Sequence, residues 1–540
     1  MKLRKFKKSL AVILSAMLTM SAVVGCGSSN DSSADGKALS VCVGSEPETI
    51  DPAKNTAADG GTLINHAFEG LMKLNSKGKI VEGQAAKYKV NDDETVYTFT
   101  LRDDAKWSDG QDVKAEDFVY AWQRLVDPAT GADYNYMIDM VKNANDIMAG
   151  NKKPETLGIK AKDEKTVEVT LETATPYFLE ICAFPATYPV RKDIIEKNGE
   201  TWATSPETYI GNGAYVLKSW EHQSKMTYVK NENYYDVDSL GSDTINFVLM
   251  EDPNTVLSAF KNGEIALGNT LPSEEIDAMK GNGLEVADQL GTYFLCVNVE
   301  KKGLDNEKVR KALSLAIDRN YLVDKVTKGG QIPADTFVPT GLTDEDGKTP
   351  FHDNATKWYS LDEHEKNVEE AKKLLKEAGY ENGKGLPSIE LMCNQGHESI
   401  MEAVQNMWKE IGVTSTISTQ DWNVFIETRK NGEYQVARHG WLADFNDPIS
   451  FLDMWVTGGG NNDADWSNKE YDELVKEIKS TTDKEKRYEL MHKAEDILAK
   501  ENPVIPLYYY TNLYLKSDKL EGMYTSPLGY YFFMNATVSE

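Results

Sequence analysis

Seven histidines are the residues from which a catalytic or metal centre would most readily be built: His66, His222, His352, His364, His397, His439 and His492. Two of them open suggestive patterns, His364-Glu365-Lys366-Asn367-Val368 and His397-Glu398-Ser399-Ile400-Met401. A zinc peptidase needs a second histidine four residues on, so that both imidazoles leave one helical face. Val368 and Met401 stand there instead. There is no Gly-x-Ser-x-Gly elbow, no phosphate loop and no Gly-x-Gly-x-x-Gly turn after a strand. Gly211-Asn212-Gly213 precedes Ala214-Tyr215-Val216-Leu217 and reads as a tight turn into a strand without any phosphate. Of the five cysteines, Cys26, Cys42, Cys182, Cys296 and Cys393, the closest two are 16 residues apart, so no Cys-x-x-Cys metal or redox pair exists. Isolated buried thiols are the expectation for the last four, with distant disulfides the alternative. The residues offer no catalytic constellation, cofactor site or metal site, and an enzyme is not expected.

The N-terminus supplies a different chemistry. Lys2, Arg4, Lys5, Lys7 and Lys8 form a basic start, and an apolar stretch follows from about Ser9 to Val24. At roughly 16 residues it is short for a membrane span and has the layout of a secretory signal peptide. It closes on Val23-Val24-Gly25-Cys26, which resembles the bacterial lipobox. Residues 1–25 are expected to be removed, Cys26 to be lipidated, and 26–38, polar and small, to form a flexible tether. Lipidation with several acyl chains gives a stable anchor where one chain does not. Without the signal, 54 Lys and Arg face 86 Asp and Glu, a balance of −32 against −27 for the whole chain. No basic footprint for nucleic acid is present.

A chain of this length can bury a large core and should divide into two or three lobes. Tyr97–Leu101 (YTFTL) and Val167–Leu171 (VEVTL) alternate as strands do. Val309, Ala312, Leu313, Ala316 and Ile317 recur at helical spacing, as do Val368, Ala371, Leu375 and Ala378, the latter stopped by Gly379. Ser467 with Glu470 and Thr482 with Glu485 predict two capping boxes. The class is α/β, with helices packed on sheets.

Three segments then carry a resemblance: Asp117-Phe118-Val119-Tyr120-Ala121-Trp122-Gln123-Arg124, Gly211-Asn212-Gly213-Ala214-Tyr215, and Arg438-His439-Gly440-Trp441-Leu442-Ala443-Asp444-Phe445-Asn446-Asp447-Pro448. With Ser45-Glu46-Pro47-Glu48-Thr49-Ile50-Asp51-Pro52 they resemble the oligopeptide-binding proteins, family 5 solute-binding proteins of peptide ABC transporters, in collinear order over nearly the whole mature chain. The resemblance implies a two-lobed periplasmic-binding-protein-like fold that closes about a hinge. It implies lobe I over 39–68, 192–290 and 512–540, an extra domain over 69–191, and lobe II over 291–511.

The resemblance also implies roles. Asp444 matches the aspartate that pairs with a peptide's α-amino group, and Gly440, Trp441 and Leu442 the strand whose main chain pairs with the peptide backbone, a mode indifferent to side chains. Trp422 and Trp441 match pocket-lining aromatics. Arg429 and Arg438 match family arginines near the site, His397 matches a histidine that helps receive the carboxylates of ligands of some lengths, and Tyr134 and Tyr510 match tyrosines that reach the ligand. Thr56 stands where some relatives carry an acidic residue, and Gly291 and Leu442 where some carry cysteines, so that disulfide cannot form here. The implied function is capture of short peptides for a membrane permease and ATPase, by a monomer lipid-anchored to the bacterial cell membrane and facing outward. The alternatives are a relative tuned to dipeptides, cell-wall or signalling peptides or a nickel chelate, and, from another class, a surface peptidase.

Overall fold

A computed structural model describes residues 38–539. The expected signal peptide over 1–25, Cys26 and the expected tether over 26–38 lie outside the described residues, except that Ala38 opens the strand Ala38–Cys42 instead. No helix among those described is long and apolar enough to cross a membrane.

The chain builds on one mixed sheet of eleven strands. From one edge it runs Ser415–Gln420, Ile389–Asn394, Val436–Leu442, Leu284–Val297, Val504–Lys516, Leu267–Gly268, Ala38–Cys42, Thr244–Val248, Lys225–Lys230 and Tyr215–Glu221, with Ile332–Pro333 added beside Tyr508 and Tyr509. The antiparallel pair Leu284–Val297 and Val504–Lys516 is shared by both halves. Its 284–288 portion pairs with 511–515, next to Leu267–Gly268. Its 292–296 portion pairs with 504–509, next to Val436–Leu442. Register shifts separate these ladders between Asp288 and Thr292 and again between Tyr293 and Phe294. Extra residues on one strand interrupt pairing and bend it, so the break separates the two ladders of this strand pair.

A second sheet, Ala85–Val90, Val96–Leu101, Thr166–Thr170 and Ile159–Asp163, is antiparallel throughout. Its two expected strands alternate as read: Tyr97, Phe99 and Leu101 turn inward opposite Val167 and Val169. They meet Phe178 and, from the helix Ala115–Val126, Phe118 and Trp122; the Tyr97 and Phe178 rings lie 4.7 Å apart. That helix explains its own motif. Asp117 accepts from Lys114 N at 2.9 Å and from Trp107 Nε1 at 3.1 Å, closing the helix start. Arg124 leaves the other end to grip Asp51 by two hydrogen bonds, 2.8 and 2.5 Å, and Trp202 Nε1 donates to the same carboxylate at 3.1 Å.

The Gly-Asn-Gly turn is a clamp. Buried Asn212 accepts from Glu69 N (3.1 Å) and donates to Glu69 O (2.9 Å), and a side chain at Gly211 would collide with the carbonyl of Ala67. The helix His364–Glu377 ends as expected, with Gly379 at φ +87°. Neither expected capping box forms; each helix is instead capped one residue later. Asn468 caps Lys469–Ser480, accepting from Glu470 N and Tyr471 N, and Asp483 caps Lys484–Glu501, accepting from Lys486 N. A short carboxamide or carboxylate reaches those amides directly, which frees the Ser467 hydroxyl to accept from Thr457. The helix expected over 309–317 is Glu307–Leu315, with Ala316 and Ile317 buried just beyond it. Cys42, Cys182, Cys296 and Cys393 are all free and buried, and burial pushes each thiol up.

The Asp51–Arg124 pair is nearly dry, with side chains 6 % and 12 % exposed. Arg124→Ala strands a buried carboxylate and is expected to cost roughly 3–5 kcal/mol of stability. Urea unfolding of the two proteins measures this; an unchanged midpoint would show that the pair does not hold these segments together.

Candidate functional site

The site forms where the register break meets the strand Val436–Leu442. That strand pairs along its length with Leu284–Val297, Gly291 opposite Leu442 and Tyr293 opposite Gly440. On its other edge only Val436 and Ala437 pair, with Leu391 and Met392 respectively of the parallel strand. Arg438–Leu442 therefore have a strand neighbour on one side only. Gly291 and Gly440 are closely overlain by side chains: a Cβ on Gly440 would sit on the hydroxyl of Tyr510, and one on Gly291 would run into Leu442 and the Tyr510 ring, so those side chains would have to move. The Gly291–Leu442 pair is where the resemblance places a disulfide in some relatives; here a leucine side chain covers a glycine.

Behind the strand, Arg429 and His439 converge on Asp463. Arg429 Nε donates to its Oδ2 at 2.7 Å, and His439 Nε2 lies 3.3 Å from the same oxygen. Burial, reinforced by Arg429, pushes His439 down to about 4, so the ring is neutral, and its Nδ1 accepts from Gly440 N at 2.8 Å. Arg429 is buried and its charge is matched. It braces the strand and presents no free charge to the cleft.

Arg438 is different. Among the described residues it makes no ion pair, and its buried Nε has no hydrogen-bond acceptor. Its guanidinium lies 5.4 Å from the Tyr293 ring centre and 5.8 Å from that of Trp422, a geometry in which ring faces attract a cation. His397 stands beside it, Nδ1 3.1 Å from Tyr293 Oη, and burial followed by the charge of Arg438 pushes its ring down to about 4. The Tyr293 ring stacks on Tyr508 at 4.6 Å, and Tyr510 stands edge-on to both. Trp422 opens the helix Trp422–Lys430 and is 53 % exposed.

At the other end of the strand stands Asp444. Its amide donates to Ser450 Oγ at 3.1 Å, and Trp441 Nε1 donates to Ser450 O at 2.7 Å, which fixes the turn. Among the described residues its carboxylate accepts one hydrogen bond, from Tyr136 Oη at 3.0 Å, and meets no cation. Burial, with Asp453 adding repulsion, pushes it up to about 7, and the Tyr136 hydrogen bond opposes the shift. Asp444 borders three cavities. One of about 80 Å³ is lined with Thr56, Tyr134, Leu442 and Tyr530. One of about 100 Å³ is lined with Tyr136, Trp441, Asp453 and Lys479. The third, about 250 Å³, lies against Phe184, Glu180 and Tyr530.

The structure thus brings Asp444, Trp441, Leu442, Tyr134 and Thr56 around one set of cavities, and Arg438, Trp422, His397, Gly440 and Tyr510 around the strand's other end. Arg429 stands behind. Tyr136 escaped the sequence reading; its one signal was its place two residues after Tyr134. The 3-10 segment Asp133–Ile138, broken at Tyr134 (φ −87°, ψ 19°), brings those two rings to 5.8 Å.

Residues 79–463 match the family described as bacterial extracellular solute-binding proteins, family 5. The chain is 36 % identical over 541 residues to the oligopeptide-binding protein OppA of Bacillus subtilis, covering 98 % of each. Among solved structures, Haemophilus influenzae OppA in complex with RPPGFSPFR matches with a TM-score of 0.78 at 33 % identity, covering 94 % of this chain and 99 % of that one. Listeria monocytogenes OppA bound to peptide matches at 0.77 and 32 %, covering 94 % and 100 %. The chain belongs to the family 5 bacterial extracellular solute-binding proteins.

Proposed function

We propose that this chain captures short peptides outside the cytoplasm and hands them to the permease and ATPase of an ABC importer. One observation carries the assignment of the site: a strand edge open over Arg438–Leu442 has an unmatched anion, Asp444, at one end and an unmatched cation, Arg438, at the other. A peptide has an ammonium, a carboxylate and a backbone of alternating donors and acceptors, and burying it requires partners for each. The peptide adds as a strand beside Gly440, Trp441 and Leu442. It runs antiparallel to them, with its amino end at Asp444 and Tyr134 and its carboxyl end toward Arg438 and His397. From Arg438 to Asp444 the chain spans at most ~20 Å, the reach of up to about six peptide residues. Trp422, Trp441 and Tyr510 offer apolar faces to varied side chains. Arg429 acts from behind, through Asp463.

The register break at Asp288–Thr292 supports lobe boundaries near 290/291 and 511/512, with 39–68, 192–290 and 512–540 as lobe I and 291–511 as lobe II. The separate four-stranded sheet supports an extra domain over 69–191. Closure of the lobes about this joint would trap the ligand. The function proposed is binding without turnover, by a monomer held through lipid on Cys26.

Truncating Asp444 leaves the ligand's ammonium buried without its partner, so Asp444→Ala should weaken binding on the order of a hundredfold or more. Acetylating the peptide's amino end should cost the intact protein as much and the variant far less. Calorimetry over the four combinations decides the site; additive losses would mean that Asp444 does not meet the amino end.

The raised Asp444 carboxyl also sets a stability profile. A group whose folded-state value is raised gives its full contribution below its unfolded value, near 4, and loses it as pH climbs through about 7. Asp444→Asn, neutral at every pH, is therefore expected to raise the melting temperature of the ligand-free protein at pH 8, with the gain vanishing near pH 4. A gain independent of pH would refute this account.

Cys26→Ser should yield protein without lipid, uncleaved or shed from the cells, that binds peptides as before. Mass spectrometry of the membrane fraction reports the lipid; a native protein found unlipidated and freely secreted would disprove the anchor.

A further inference from the structure

The largest cavity at Asp444 leads away from the open strand edge, between the helix Phe178–Ile181 and the C-terminal segment around Tyr530. At about 250 Å³ it is far roomier than a water site. Phe68, Phe184, Tyr188 and Tyr530 give it aromatic walls. Its carboxylates divide into two kinds. Glu69 is matched by Lys73 at 3.2 Å and by the hydroxyls of Tyr234 and Tyr235, and Asp236 is exposed to solvent. Asp444 and Glu180 have no cation. The Glu180 side chain, half-buried, makes no hydrogen bond among the described residues, and burial, with Asp447 adding repulsion, pushes its carboxyl up to about 8. A ligand's α-ammonium at Asp444 would satisfy one of the two carboxylates and leave the other, Glu180, on the cavity wall without a cation of its own.

We propose that this cavity receives the side chain of the ligand's first residue and that Glu180 selects a basic one, lysine or arginine, at that position. This rests on the peptide-binding function proposed above. The first side chain branches from the carbon next to the ammonium, so with the ammonium on Asp444 it is the ligand group beside the cavity mouth; later side chains lie toward Arg438. The methylene stem packs on the aromatic walls, as long basic side chains do on apolar surface, and the charged head meets Glu180 in a charge-assisted hydrogen bond.

The test is calorimetric, on the mature protein and its Glu180→Gln variant, with Lys-Ala-Ala, norleucyl-Ala-Ala and Ala-Ala-Ala. Norleucine keeps the aliphatic stem and deletes the charge. The native protein should bind the lysyl peptide about tenfold or more tightly than the norleucyl one. In Glu180→Gln that preference should disappear while the norleucyl affinity moves less than about threefold. Equal affinities in the native protein, or a lysine preference that survives Glu180→Gln, would overturn the assignment of Glu180 and leave peptide binding standing. Failure of all three peptides to bind the native protein would overturn both.

Discussion

Two neighbouring strands, Leu284–Val297 and Val504–Lys516, carry all the sheet hydrogen bonding that links one half of the molecule to the other. Their ladder is interrupted at 288–292, and the interruption sits beside the open edge of Val436–Leu442. Gly291 and Tyr510, which belong to the break, touch Leu442 and Gly440. A change of angle between the lobes can be absorbed by residues that have already given up their regular partners, while the ladders on either side stay intact. The break and the open strand edge share these few residues, so the geometry of one is set together with that of the other.

Charge follows the same economy. Most charged groups near the site are matched within the protein: Arg429 by Asp463, Lys73 by Glu69, Arg487 by Asp447 at 2.7 Å. Burial leaves His397 and His439 neutral. Against that background the unmatched groups are few: Asp444 and Arg438 at the two ends of the open strand, and Glu180 on the cavity that Asp444 borders. Leaving a buried charge unpartnered costs stability, so the protein is less stable than its packing allows.

Much of this could be read from the residues, for physical reasons. Tyr97, Phe99 and Leu101 alternate because one face of a strand is buried, and Gly379 ends its helix because the chain there turns left-handed. Asp444, Trp441 and Gly440 were found through a motif, since an aspartate after a strand has no local signature of binding. Arg429 and Arg438 look alike in sequence. What separates them is Asp463, more than twenty residues away and brought to only one of them by folding. Tyr136 and Glu180 escaped for the same reason: each matters through a cavity shared with Asp444, and a cavity is a property of tertiary packing. The caps moved by one residue because Asn468 and Asp483 compete with their hydroxyl neighbours for the same amides.

The four buried thiols bear on how such a chain lives outside the cytoplasm. None is bridged, so folding after export waits on no oxidant and no isomerase, and the native state stores no cross-link that a reductant could cut. Burial keeps each sulfur protonated and out of reach of exchange partners. Unfolding removes that protection from all four at once. In an oxidising compartment the exposed thiols can then form bridges that the native fold has no room for, and each such bridge turns a reversible excursion into a one-way loss. The working lifetime of this protein is therefore set by how rarely it opens, and a ligand that holds its lobes together lengthens that lifetime as well as supplying cargo.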